Sequence, residues 1–91
     1  MSKKRIPSPD DWRRQGQEKY LLNKTLIWMD YKPYRDDWEH DHCEFCGTKF
    51  SLDADSLKQG YSTLDSNRWI CNDCFEDFKI EYRWVIKQVN T

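Results

Sequence analysis

A small α+β domain cross-linked by a metal ion is the fold class that three features of this chain predict. The first is size: 91 residues lie near the limit at which one hydrophobic core supplies only a few kcal/mol of net stability, so an added cross-link is expected. The second is the arrangement of the four cysteines as Cys43-x2-Cys46 and Cys71-x2-Cys74, with residues 47–70 between the pairs. The third is a stock of aromatic residues, 15% of the chain, in a sequence whose mean hydropathy is only −1.06. Each ring buries roughly 150–250 Å², so a compact core is feasible, and disordered chains are poor in such residues.

The elements follow in chain order. Residues 1–7, MSKKRIP, read as a flexible basic tail, and 8–91 as a single metal-binding domain. Ser8-Pro9-Asp10-Asp11 has the form of a helix start: Ser as N-cap, Pro at the first helical position, and acids facing the positive end of the dipole. A helix is therefore predicted from Ser8 to about Leu22, weakened by about 1 kcal/mol at Gly16 and stopped at Asn23. Thr25 to Tyr31 is β-rich, with Leu26, Trp28 and Asp30 on one side and Ile27, Met29 and Tyr31 on the other, and Pro33 ends it. Residues 34–41 read as a polar loop anchored by Trp38, and 51–58 fit either a helical turn or a loop.

Tyr61–Leu64 and Arg68–Cys71 flank the turn-forming trio Asp65-Ser66-Asn67, which predicts a β-hairpin. Beyond it Phe75, Phe78, Tyr82, Val85 and Val89 recur at alternating helical steps of three and four, against a competing period of two over 78–86. A helix to about Tyr82 followed by a strand over Trp84 to Val89 reconciles the two. The N-terminal helix and strand are expected to bury Trp12, Tyr20, Ile27 or Trp28 against the Phe75, Phe78 and Tyr82 face.

Two residues between cysteines let one tight turn aim both thiolates at an ion about 2.3 Å away, and two such pairs complete the tetrahedron that suits Zn²⁺. Cys43, Cys46, Cys71 and Cys74 are therefore the predicted ligands of one structural Zn²⁺. Gly47 can take the positive φ that turns backbone N–H groups toward sulfur. Cys74 falls in the first turn of the predicted helix, whose N-terminus favours anions. Four thiolates fill the coordination shell, which leaves no position for an activated water.

The knuckle CEFCG, the stretch GYSTLDSNRWIC and the helix opening NDCFEDF together resemble the treble-clef class of zinc fingers over about residues 40–83. That resemblance implies a zinc knuckle, a hairpin and a helix sharing one ion, and no particular activity. The wider phrase WEHDHCEFC…GYST…WICNDCFEDF also resembles a family of small, uncharacterised bacterial zinc-binding proteins. His40 and His42, just before the first cysteine pair, are read as polar neighbours of the site. Treble-clef endonucleases place their histidines between the cysteine pairs, where this chain has none, so an endonuclease-like enzyme is a minor alternative.

For function the sequence offers a closed metal shell, no nucleophilic triad, no P-loop and only three glycines. The expectation is a non-enzymatic module that engages another protein through rings left over from the core. The alternative is a nucleic-acid-binding finger using Lys3, Lys4, Arg5, Arg13, Arg14 and Lys19. Residues 1–24 do carry seven Lys/Arg against three Asp/Glu, but residues 25–57 carry three against eight, the wrong sign for phosphate. No apolar run reaches the roughly 18 residues that a membrane span needs, and no secretory signal is evident, so a cytoplasmic location is expected.

Overall fold

A computed structural model describes residues 7–33, 35 and 39–87 of the chain. The tail over residues 1–6, the Trp38 anchor and Val89 at the end of the terminal strand lie outside those residues.

The described elements, in order, are a short helix α1 (Glu18–Leu21), strands β1 (Thr25–Asp30), β2 (His40–His42), β3 (Lys49–Ser51), β4 (Gln59–Thr63) and β5 (Trp69–Ile70), helix α2 (Asn72–Tyr82) and strand β6 (Val85–Ile86). Four strands form one sheet in the order β5-β4-β1-β6, and β2 and β3 form a separate antiparallel pair. The hairpin predicted over residues 61–71 is present as β4 and β5, with Tyr61 opposite Ile70. Its turn is built as expected from Asp65, whose carboxylate accepts from the Asn67 N–H (2.9 Å) and the Thr63 hydroxyl (2.6 Å). The predicted helix to Tyr82 is present as α2, and the strand beyond it is confined, among the described residues, to Val85–Ile86. Residues 52–56, open between helical turn and loop, form bends and turns.

The N-terminal segment departs from expectation. No helix runs from Ser8 to Leu22; only Glu18–Leu21 is helical, and residues before it make isolated turns. Two local interactions stop helix propagation. Asp11 folds back to accept the N–H of Arg13 (2.9 Å), closing a turn two residues long in place of a helical bond. Gly16 adopts φ +88, the left-handed region that interrupts a right-handed helix. Asn23 also takes a left-handed φ of 63, so the chain does stop there.

Strand β1 lies inside the sheet, antiparallel to β4 with Trp28 opposite Tyr61, and parallel to β6 with Leu26 opposite Ile86. The N-terminal strand and the hairpin are thus neighbours in one sheet. Helix α2 covers one face, where Tyr61 stacks on Phe75 with centroids 3.7 Å apart. The β2–β3 pair covers the other through Phe50, against Trp69 (5.4 Å) and over Gly60, where an added Cβ would come within 2.5 Å of that ring. Leu26, Phe50, Trp69, Ile70 and Phe78 are fully buried. Trp12, expected to be buried, is 68% exposed, and Trp28 is 40% exposed, edge-on to Tyr61. The segment is anchored instead by Leu21 and Leu26, both wholly buried.

Candidate metal centre

The two cysteine pairs come from different kinds of local structure. Cys43 follows β2, and the chain turns back through Glu44-Phe45-Cys46-Gly47 so that β3 can pair with β2. Gly47 takes φ +81, as its place after Cys46 predicts, and its N–H bonds the Cys43 carbonyl at 3.1 Å. Cys74 lies in the first turn of α2, as predicted, and Cys71 is the N-cap of that helix. A bridge between Cys43 and Trp69, with the Glu44 N–H bonding the Trp69 carbonyl at 2.9 Å, docks the knuckle beside the start of β5.

This arrangement brings the four sulfurs within 4.8 Å of one another, with Cys46 and Cys71 3.6 Å apart. Four sulfurs about 2.3 Å from a common tetrahedral ion would be separated by about 3.8 Å. The cluster therefore matches the size of a single four-thiolate ion, and the four cysteines are placed to bind one metal, compatible with zinc.

Each sulfur also has a donor in its outer environment. Cys43 accepts the backbone N–H of Phe45 (3.4 Å) and of Cys71 (3.4 Å), and Cys71 accepts that of Cys74 (3.5 Å). The Thr48 hydroxyl lies 3.0 Å from Cys46 and can donate to its thiolate. Cys74 receives Arg13 Nη1 at 3.5 Å. Such donors spread the negative charge of a metal–thiolate group and hold the ligands in place. Left to themselves, the thiols concentrate charge on Cys43. Hydrogen bonds from Cys71 and Cys74 push its pKa far down, and the same bonds push Cys71 up to about 12 and Cys74 up as well.

Arg13, one of the basic residues that the nucleic-acid alternative would use, is turned toward the metal centre. Its guanidinium bonds Asp11 Oδ2 (2.7 Å), Asp77 Oδ2 (2.9 Å) and Cys74, and lies 4.8 Å from the Phe78 ring centroid. The Asp11 carboxyl is held down at about 2, chiefly by that Arg13 side-chain bond. Arg14 pairs with Glu81 and donates to the Ser8 and Pro7 carbonyls. Gln17, overlooked from sequence, is 1% exposed, and its amide donates to the carbonyls of Arg13 (2.6 Å) and Glu44 (2.9 Å). No local pattern marks such a residue in a sequence, because its partner Glu44 lies in a separate loop.

His40 and His42 stand near the cysteines in sequence but outside the sulfur cluster. Both project from the exposed side of β2, while Asp41 between them turns inward to accept the Tyr31 hydroxyl at 2.8 Å. Together with Tyr20, Glu39 and Glu44 they line a shallow groove beside the knuckle.

No helix among the described residues is long and apolar enough to cross a membrane. No family model, curated protein or solved structure matches the chain.

Proposed function

We propose that the chain is a treble-clef-like finger holding one structural Zn²⁺ at Cys43, Cys46, Cys71 and Cys74, and that it works without catalysis by engaging another protein in the cytoplasm. A reducing compartment suits four thiols reserved for a metal, and the order knuckle, hairpin, helix supports the treble-clef reading and the likeness to small bacterial zinc-binding proteins. The sulfur cluster carries the zinc assignment: a full thiolate shell gives an ion a structural role and offers no position for a reacting water.

The interaction reading rests on apolar side chains that the core does not use. Leu22, Ile80 and Val85 are 44%, 50% and 58% exposed. Backbone bonds from Asn23 to Tyr82 and from Val85 to Lys24 tie the segments that carry them into one corner, where α2 ends. Exposed apolar side chains carried on neighbouring segments suit the centre of a protein contact. Arg13 and Arg14, by contrast, are engaged in intramolecular bonds, which weakens the nucleic-acid alternative.

The deciding experiment compares the wild type with Ile80→Glu and Val85→Glu in capture from native lysate, alongside binding to mixed RNA and DNA across a salt series. The proposal expects a discrete protein partner lost in both variants while their melting is unchanged, and no nucleic-acid binding at low salt. Nucleic-acid affinity that falls steeply with salt would establish the alternative.

A further inference from the structure

The chain contains only two histidines, and the fold places them side by side. His40 and His42 are two residues apart on β2, and the period of a strand sends both imidazoles to the same face. The register determines which face. Asp41 is opposite Phe50; Phe50 is fully buried, so Asp41 turns inward and both histidines turn outward. Their ring centroids are 4.9 Å apart, with the planes at 88°.

That separation has a chemical meaning. Two imidazoles bound to one ion through nitrogens about 2.0–2.1 Å from it have centroids about 5 Å apart when the angle at the metal is tetrahedral. Beyond their contact with each other, neither imidazole has a hydrogen-bond partner for a ring nitrogen among the described residues, whereas Asp41 and Glu44 nearby are engaged with Tyr31 and Tyr20. The Lys49 side chain, opposite His42 in the register, lies 3.5 Å from Asp53, so its charge is partly offset.

We infer that His40 and His42 form a second, exchangeable site for a late divalent transition-metal ion such as Zn²⁺ or Ni²⁺, distinct from the four-cysteine centre. Imidazole is the natural ligand for this group of ions. The two centres differ in kind: the cysteine cluster is closed by four ligands, while the histidine pair supplies two and leaves the remaining positions to water or to a donor from another molecule. The site does not depend on the interaction proposed above, and either can fail without the other.

The test uses the untagged 91-residue chain carrying its cysteine-bound metal, titrated with Ni²⁺ and followed by amide NMR and by elemental analysis of both metals. One equivalent of Ni²⁺ should bind with the original ion retained, and paramagnetic broadening should centre on residues 39–43 and 49–51. His40→Ala and His42→Ala should each weaken binding by at least about tenfold, the lower bound seen even for partners one shell further from a metal, with the cysteine-bound metal unchanged. The inference is overturned if the wild type binds no Ni²⁺, if broadening centres elsewhere, if Ni²⁺ enters only by displacing the cysteine-bound ion, or if both variants bind as tightly as the wild type.

Discussion

The two halves of the metal centre are built on different principles. The Cys43–Cys46 half is assembled locally: a six-residue reversal between β2 and β3 supplies the turn, the Gly47 conformation, the Phe45 N–H and the Thr48 hydroxyl, all within five residues of Cys43. The Cys71–Cys74 half takes its cap from the start of α2 but borrows a cation from 61 residues away, Arg13. The first half is therefore shaped mainly by its own turn, and the Cys71 N–H and the Gln17 amide reach it from outside. The second is complete only when the N-terminal segment has folded against it, so metal binding and the docking of that segment are coupled.

Mutations can break this asymmetry in graded fashion. Cys71→Ser should have the largest effect: the serine hydroxyl can still cap α2, but a metal ligand is lost, and structural zinc contributes folding free energy outright. Circular dichroism and elemental analysis should find loss of both the metal and the cooperative melt. Arg13→Ala comes next. It deletes charge-assisted bonds to Asp11, Asp77 and Cys74, and a loss of about 2–3 kcal/mol in denaturant unfolding is expected, with metal released more readily to a chelator. Arg13→Lys should restore only part of this, because an ammonium lacks the planar fork that spans two carboxylates. Gly47→Ala, in the local half, should cost about 1–2 kcal/mol through its positive φ, and Thr48→Val no more than about 1 kcal/mol. If Thr48→Val destabilised the chain more than Arg13→Ala, the contrast between the halves would be reversed.

The pH dependence of metal binding sharpens the same picture. Cys71 and Cys74 have their pKa values pushed up by hydrogen bonds to Cys43, so both hold protons at neutral pH when no ion is present. A metal must displace those protons, and affinity therefore rises with pH and falls as the solution is acidified. With at least these two protons released, competition against a chelator between pH 6 and 8 should show affinity rising by at least about a hundredfold per pH unit. A flat profile would mean that the thiols are already ionised.

What the sequence reveals in advance follows the same division between local and distant. The knuckle, the hairpin turn at Asp65 and the helix after Cys71 were legible because each is specified by residues a few positions apart. The place of β1 was not: its alternation marks a strand, but pairing with β4 some 35 residues later and with β6 some 60 later leaves no local trace. The helix expected over residues 8–22 failed for a related reason. Ser8, Pro9, Asp10 and Asp11 do resemble a helix start, yet Asp11 prefers Arg13, and Arg13 is held by Asp77 and Cys74 across the fold. A competing local turn, fixed by Arg13's contacts across the fold, thus overrode a helix preference worth only tenths of a kcal/mol per residue. The cysteines could be named as ligands from their spacing, whereas the links of Arg13 and Gln17 to the metal centre depend on partners in other segments.

The central claim is that the metal centre and the N-terminal segment fold as one unit, joined through Arg13, Gln17 and the pairing of β1 with β4. A helix of four residues has no stability of its own in water, and β1 is a strand only by virtue of its neighbours. Hydrogen exchange measured before and after removal of the metal by a chelator tests this most directly. The account predicts that amides of residues 18–30 and of α2 lose protection together, in a single transition. Retention of protection over residues 18–30 in the metal-free protein, with loss confined to the knuckle and α2, would contradict it and divide the chain into two independent folding units.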